Sequence, residues 1–140
     1  MGMAIVIPSA SAKTLLEFAL GDVTPGNQEY RLFVNNYTPD DDSVAASFTE
    51  MSTLGYALKE LTKTDWTATA GASGQPATAV QAQQTWTFEA GTPVSVYGYY
   101  VTDKTTGKLL WAEKFASAKV VGNLNDQILI TPTLTGSKSA

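Results

Sequence analysis

Thr92-Pro93-Val94-Ser95-Val96-Tyr97-Gly98-Tyr99-Tyr100-Val101-Thr102 is the stretch on which the reading of this chain turns. Its valines, threonines and tyrosines are branched at Cβ or aromatic, and such side chains fit a pleated, half-buried surface better than a helix. Pro93 suits the entry to a strand, where its missing N–H costs no ladder bond. Alternation sends Val94 and Val96 to one face and Tyr97 and Tyr99 to the other. The expectation is a strand with a valine core face and a Tyr97/Tyr99 face on which a partner could dock.

Working outward, Asp103-Lys104-Thr105-Thr106-Gly107 is a short glycine-containing loop between two apolar runs, the signature of a hairpin. The chain then returns through Lys108–Phe115. Gln84–Glu89 alternates with Trp86 and Phe88 inward, and Asp126–Leu134 places Ile128, Ile130 and Leu134 on one face. Pro132 cannot donate to a ladder, so that end of the segment is expected at an edge or a bulge. Upstream, Glu29–Asn35, Tyr56–Leu61 and Asp65–Thr69 read as further strands. Asn36–Ser43 reads as an acidic loop, and Gly71–Pro76 as a flexible connection.

One helix is expected, over Ser11–Leu20. Leu15, Phe18 and Ala19 recur at helical spacing, Leu16 and Leu20 widen the stripe, Ser9 or Ser11 can cap the start, and Gly21 stands where a C-terminal glycine ends a helix. The fold class is therefore all-β, an antiparallel β-sandwich or open barrel of jelly-roll-like type, with one short N-terminal helix. Residues 11–135 form a single domain, preceded by an arm or first strand at 1–10 and followed by a flexible tail at 136–140.

Composition narrows the function classes. The 140 residues contain no histidine and no cysteine, so the commonest general base, the commonest metal ligand and the best soft nucleophile are missing. Nine basic against thirteen acidic groups give a net charge of −4, with Arg31 as the sole arginine. That lacks the positive footprint nucleic-acid binding requires. No segment approaches the ~20 apolar residues of a membrane helix. The chain is expected to be non-enzymatic, with no cofactor, no nucleic-acid partner and no membrane, made in the cytoplasm.

Three candidate sites remain. Asp40-Asp41-Asp42 could hold Ca²⁺, but consecutive carboxylates do not match an alternating calcium loop, and a solvated Asx-type turn is favoured. The aromatics Trp66, Trp86, Trp111, Tyr97, Tyr99 and Tyr100 could form a platform for sugar rings, although Trp86 and Trp111 share the inward phase of Phe88 and Phe115. Ile5-Val6-Ile7 reads equally as an arm that adds a strand to a neighbouring subunit or as a first strand of its own domain. Carboxylate pairs such as Asp65/Glu89 or Asp103/Glu113 have no spacing that supports hydrolysis. The interface candidates are thus Ile5, Val6, Ile7, Asp40, Asp41, Asp42, Tyr97 and Tyr99.

An ordered series of segments carries a resemblance. Leu15–Gly21 is followed by Arg31-Leu32-Phe33-Val34-Asn35-Asn36-Tyr37-Thr38-Pro39-Asp40-Asp41-Asp42, then Gly55-Tyr56, Val96–Asp103, Leu109–Phe115 and Ile130-Thr131-Pro132-Thr133-Leu134. Over residues 5 to 135 this resembles small virion structural proteins of tailed bacteriophages, of the capsid decoration (cement) or tail-associated type. The resemblance implies a β-rich homo-oligomer, such as a trimer, made in the host cytoplasm and bound to the major capsid protein on the capsid surface of the virion. It supplies no catalytic residues. A small carbohydrate-binding β-sandwich module is the alternative.

Overall fold

The computed structural model describes residues 5–136. Among them, one α-helix and nine strands follow in the order α1 (Ser9–Leu20), β1 (Gln28–Phe33), β2 (Lys59–Leu61), β3 (Thr67–Thr69), β4 (Ala77–Val80), β5 (Gln84–Thr87), β6 (Val94–Asp103), β7 (Leu109–Val121), β8 (Gln127–Ile130) and β9 (Thr133–Gly136), with a single 3-10 turn at Ala45–Ser47 between β1 and β2. All strand pairs are antiparallel: a four-stranded sheet β2-β1-β6-β7, a three-stranded sheet β3-β4-β9 and a two-stranded sheet β5-β8. The fold is all-β and sandwich-like with one N-terminal helix, as the alternation of the sequence implies. No helix among the described residues is long and apolar enough to cross a membrane.

The main core lies on one face of the four-stranded sheet. Tyr30, Leu32, Val96, Tyr99, Val101 and Trp111 meet Trp86, Phe88, Ile128 and Ile130 from β5, β8 and their flanks. Tyr30 stacks on Tyr99 with ring centroids 5.7 Å apart, and Trp111 meets the edges of both Tyr30 and Trp66 at 6.3 Å. Such arrangements add to the apolar area they bury. The inward assignment of Trp86 and Phe88 is as their alternation implies.

The opposite face of the same sheet carries a second, smaller aromatic core. Phe33, Tyr100, Leu109 and Ala112 are covered by Phe48, with Tyr37, Ala45 and Tyr97 at the rim. Phe48 stacks on Tyr100 at 4.6 Å and tilts against Phe33 at 4.9 Å. The chain reaches this position by folding back after β1. Val34 N–H donates to Thr49 O, Met51 N–H donates to Leu32 O, and Phe33 bridges Glu50. The Asn36–Ser43 stretch is therefore one limb of a flap whose return limb presents Phe48. Both faces of β6 are closed, which a sequence with alternating polar positions does not lead one to expect.

Two expectations about faces are corrected. Tyr97 and Tyr99 do not share a face. Val96 pairs with Lys119 and Gly98 with Lys114, so one residue of β6 opposes four of β7 and the side-chain phase slips by one. Tyr99 therefore joins Val96 in the main core while Tyr97 joins Tyr100 on the other side. The helix stripe is also narrower than its hydrophobic spacing suggests. Helix α1 seats Ser11 and Thr14 against the fold, with Ser11 Oγ donating to Leu109 O at 2.7 Å, while Leu16 and Leu20 stand 64% and 76% exposed. No side chain caps its start, which follows Pro8, and Gly21 ends it in the left-handed conformation at φ 79°.

The Tyr56–Leu61 strand shortens to β2, and Asp65–Thr69 to β3. The Asp126–Leu134 segment breaks at Thr131-Pro132 into β8 and β9, which belong to different sheets. Pro132 is buried, and its carbonyl accepts the Gln81 N–H. Strand β4 lies in a stretch whose alanines and threonines give no clear period. Of the expected tail, Gly136 closes β9, and residues 137–140 lie outside the described residues, as do 1–4 of the N-terminal segment.

Candidate interaction surface

The surface is built around β7, the longest strand. Beyond Val6, no described residue pairs with its outer edge. Val6 and Ala112 exchange both backbone bonds, at 2.8 and 3.0 Å. Ile5-Val6-Ile7 thus lies along its own subunit's sheet, in the manner of a first strand reduced to a single bridge. Ile7 remains 43% exposed. From Ala116 to Val120 five consecutive residues of β7 are exposed.

Next to this edge a groove of about 880 Å³ opens between β7 and the β8–β9 segment. Glu113, Phe115, Ser117 and Lys119, every second residue of β7, line one side, and Leu129, Ile130, Thr131 and Thr133 line the other. At its floor Tyr99 Oη donates to Glu113 Oε1 at 2.9 Å. Burial pushes the Glu113 carboxyl above the usual range, partly offset by that hydrogen bond. Burial and the neighbouring Glu113 charge push the Tyr99 phenol up as well, so the hydroxyl keeps its proton and remains the donor. Lys119 Nζ sits 5.6 Å from the centroid of the Phe115 ring, a cation over an aromatic face.

A raised carboxyl favours the folded state below its unfolded pKa, near 4.5, and loses that contribution as pH rises through the folded value. Glu113→Gln removes the charge and keeps an acceptor for Tyr99. Its unfolding midpoint above pH 4.5 is expected to decline less with pH than that of the parent chain, as read by thermal melts across the pH series. Parallel declines in the two proteins would refute this.

The acidic loop takes the form of an Asx turn. Asp40 Oδ1 accepts the Asp42 N–H at 3.0 Å and the Ser43 hydroxyl at 3.1 Å, while Asp41 O accepts the Ser9 N–H at the start of α1. All three carboxylates are exposed, and among the described residues no three acidic side chains converge as metal ligands would. Four of the six platform candidates are buried, and Tyr97 and Trp66 are half-buried. Trp86 and Trp111 are each 2% exposed, Tyr99 4% and Tyr100 5%, while half-buried Trp66 turns its Nε1–H to Gln28 Oε1. Asp103 is fully buried at the hairpin and holds backbone groups, so it is not half of a carboxylate pair with Glu113.

The sequence reading singled out Tyr99 but set it on the face of Tyr97, and it named Glu113 only as half of a carboxylate pair. Glu113 and Lys119 share a face at even spacing, which the sequence does display. Nothing local reveals that β7 is an edge. No protein-family model matches the chain, and no curated protein is significantly similar to it.

Proposed function

We propose that this chain is a non-enzymatic virion structural protein, a capsid decoration protein that stabilises a phage head by binding copies of itself and the major capsid protein. One observation carries the reading furthest. The fold commits its aromatic side chains to two internal cores and leaves outside an open β7 edge together with apolar side chains such as Leu16, Leu20, Val120 and Leu124. Leu16 and Leu20 lie one turn apart on one helix face, and each is more than 60% exposed. Unpaired edges and apolar faces are what subunits bury against each other, and many weak contacts sum on a lattice. The ordered sequence resemblance points the same way. A sugar-binding module has less support, because Trp86, Trp111, Tyr99 and Tyr100 are buried.

Counting copies by mass spectrometry of purified particles tests the reading. Hundreds of copies per particle support a shell protein, a handful support a tail component, and absence from particles sinks both. Deleting residues 1–8 removes the Val6–Ala112 bridge and buried Pro8. The expected outcome is lower particle occupancy together with a lower melting temperature, since the segment braces its own sheet. An unchanged melting temperature would mean the bridge contributes nothing.

A further inference from the structure

We infer that two copies of this chain pair through α1, antiparallel about a two-fold axis level with Leu15, so that Leu20 of each copy enters an apolar pocket of the other. This deepens the self-assembly reading above by naming the contact, and it rests on that reading. Helix α1 turns two leucines away from its own fold. Ser11 and Thr14 are buried, while Leu16 and Leu20 stand in solvent. Ser9, Lys13, Leu16 and Leu20 are all exposed and follow one another at steps of four, three and four. That is the spacing at which one helix seats against another.

A pocket of about 420 Å³ flanks the first half of the same helix. Ala10 and Lys13 form one wall, Val44 and Ala46 at the 3-10 turn a second, and Lys108 and Leu109, where β7 begins, a third. The hydroxyls beside it are already engaged within the chain. Ser11 Oγ donates to Leu109 O, Thr14 Oγ1 to Ala10 O and Ser43 Oγ to Asp40 Oδ1. What the pocket offers is therefore an apolar hollow with lysines at its rim.

Knob and pocket sit on opposite halves of one helix, so antiparallel pairing brings each to the other. An axis level with Leu15 sets Leu20 opposite Ala10 of the second copy and Glu17 opposite Lys13. Lys13 and Glu17 already bond within each copy, and the axis joins two such pairs into a ring of four alternating charges. The helix ends fit the same arrangement. No acidic side chain lies in the first turn of α1 and no basic one in the last. In the pair, the negative C-terminal end of each helix, with Asp22 just beyond it, lies toward Lys13 and Lys108 of the other copy. Among the described residues Lys108 forms no ion pair of its own.

Sedimentation equilibrium of the full chain, taken up to millimolar concentration, tests the contact. The parent chain is expected to dimerise reversibly. Leu20→Asp, which puts a charge on the knob, and Ala46→Trp, which fills the pocket, are each expected to weaken the dimer by about tenfold or more. Leu20 and Ala46 are exposed, so both variants keep the fold, as far-ultraviolet circular dichroism checks. Leu124→Asp is the control, because Leu124 is 67% exposed but lines no part of the pocket, and it should associate as the parent does. The chain has no cysteine, so Lys13→Cys chains mixed with Glu17→Cys chains should oxidise to the mixed disulfide. Parallel helices would join only like chains. A parent chain that stays monomeric, parent-like association of Leu20→Asp or Ala46→Trp, an equal loss in Leu124→Asp, or no mixed disulfide would each overturn the proposal. All these readouts use the purified chain alone. A failed dimer therefore leaves particle occupancy standing, and absence from particles leaves the dimer standing.

Discussion

Gly98→Ala is expected to lower stability by about 3–4 kcal/mol, and Gly98→Val to leave the chain unable to complete its four-stranded sheet. Gly98 is buried in the middle of β6, where it pairs with Phe33 on one side and Lys114 on the other. A Cβ there would overlap the carbonyl oxygen of Glu113 and stand 2.7 and 2.8 Å from two carbons of the Phe33 ring. Neither neighbour can yield. The carbonyl belongs to the backbone of β7, and Phe33 has 0% exposure between Phe48 and Tyr100. The close approach of β7 and Phe33, rather than an unusual dihedral angle, is what demands glycine. Urea denaturation followed by tryptophan fluorescence measures the loss. Gly74→Ala is the contrast, because a Cβ at Gly74 meets nothing within 4 Å and only its φ of 80° resists the change. A Gly98→Ala midpoint no lower than that of Gly74→Ala would show that the sheet can open at this point.

The glycine also marks the boundary between what local sequence displays and what it conceals. The hairpin of β6 and β7, the inward Trp86 and Phe88, and the Gly21 helix stop were legible because each follows from spacing within a few residues. Tyr97 and Tyr99 were misplaced because alternation assumes an unbroken register. The slip beside Gly98 is set by how β7 pairs with β6, which no spacing within β6 displays. An isolated glycine within a strand pattern is the one local sign of such a break. Phe48 closed the second core from a segment with no strand period, so its role was invisible until the flap folded over. The interface candidates met the same limit. Ile5-Val6-Ile7 carries β propensity, but whose sheet it joins depends on which edge is open. That edge is a property of topology, and composition is silent about it.

Asp103→Ala is expected to cost about 2–3 kcal/mol and to lower the melting temperature by about 7–10 °C, a large part of the ~5–15 kcal/mol that holds a domain together. Asp103 is fully buried, and its carboxylate closes two turns that are remote in sequence. Oδ1 accepts the Gly26 N–H at 2.6 Å, and Oδ2 accepts the Thr106 N–H at 2.8 Å and the Thr106 hydroxyl at 3.0 Å. The first bond fixes the turn that enters β1, and the other two fix the loop between β6 and β7. Removing the carboxylate leaves the half-buried Gly26 N–H without its partner and frees both Thr106 donors, so the turns lose charge-assisted bonds and the buried site is left with a void. Asp103→Asn separates charge from shape. Its amide retains one acceptor oxygen, which can serve only one of the two turns, while its NH₂ faces a backbone donor. A loss between those of the parent and alanine chains is therefore expected. Circular dichroism melts of the three proteins measure the series. If Asp103→Asn matched the parent, the second turn would be held by its backbone bonds alone, Gly107 N–H to Asp103 O and Asp103 N–H to Lys108 O.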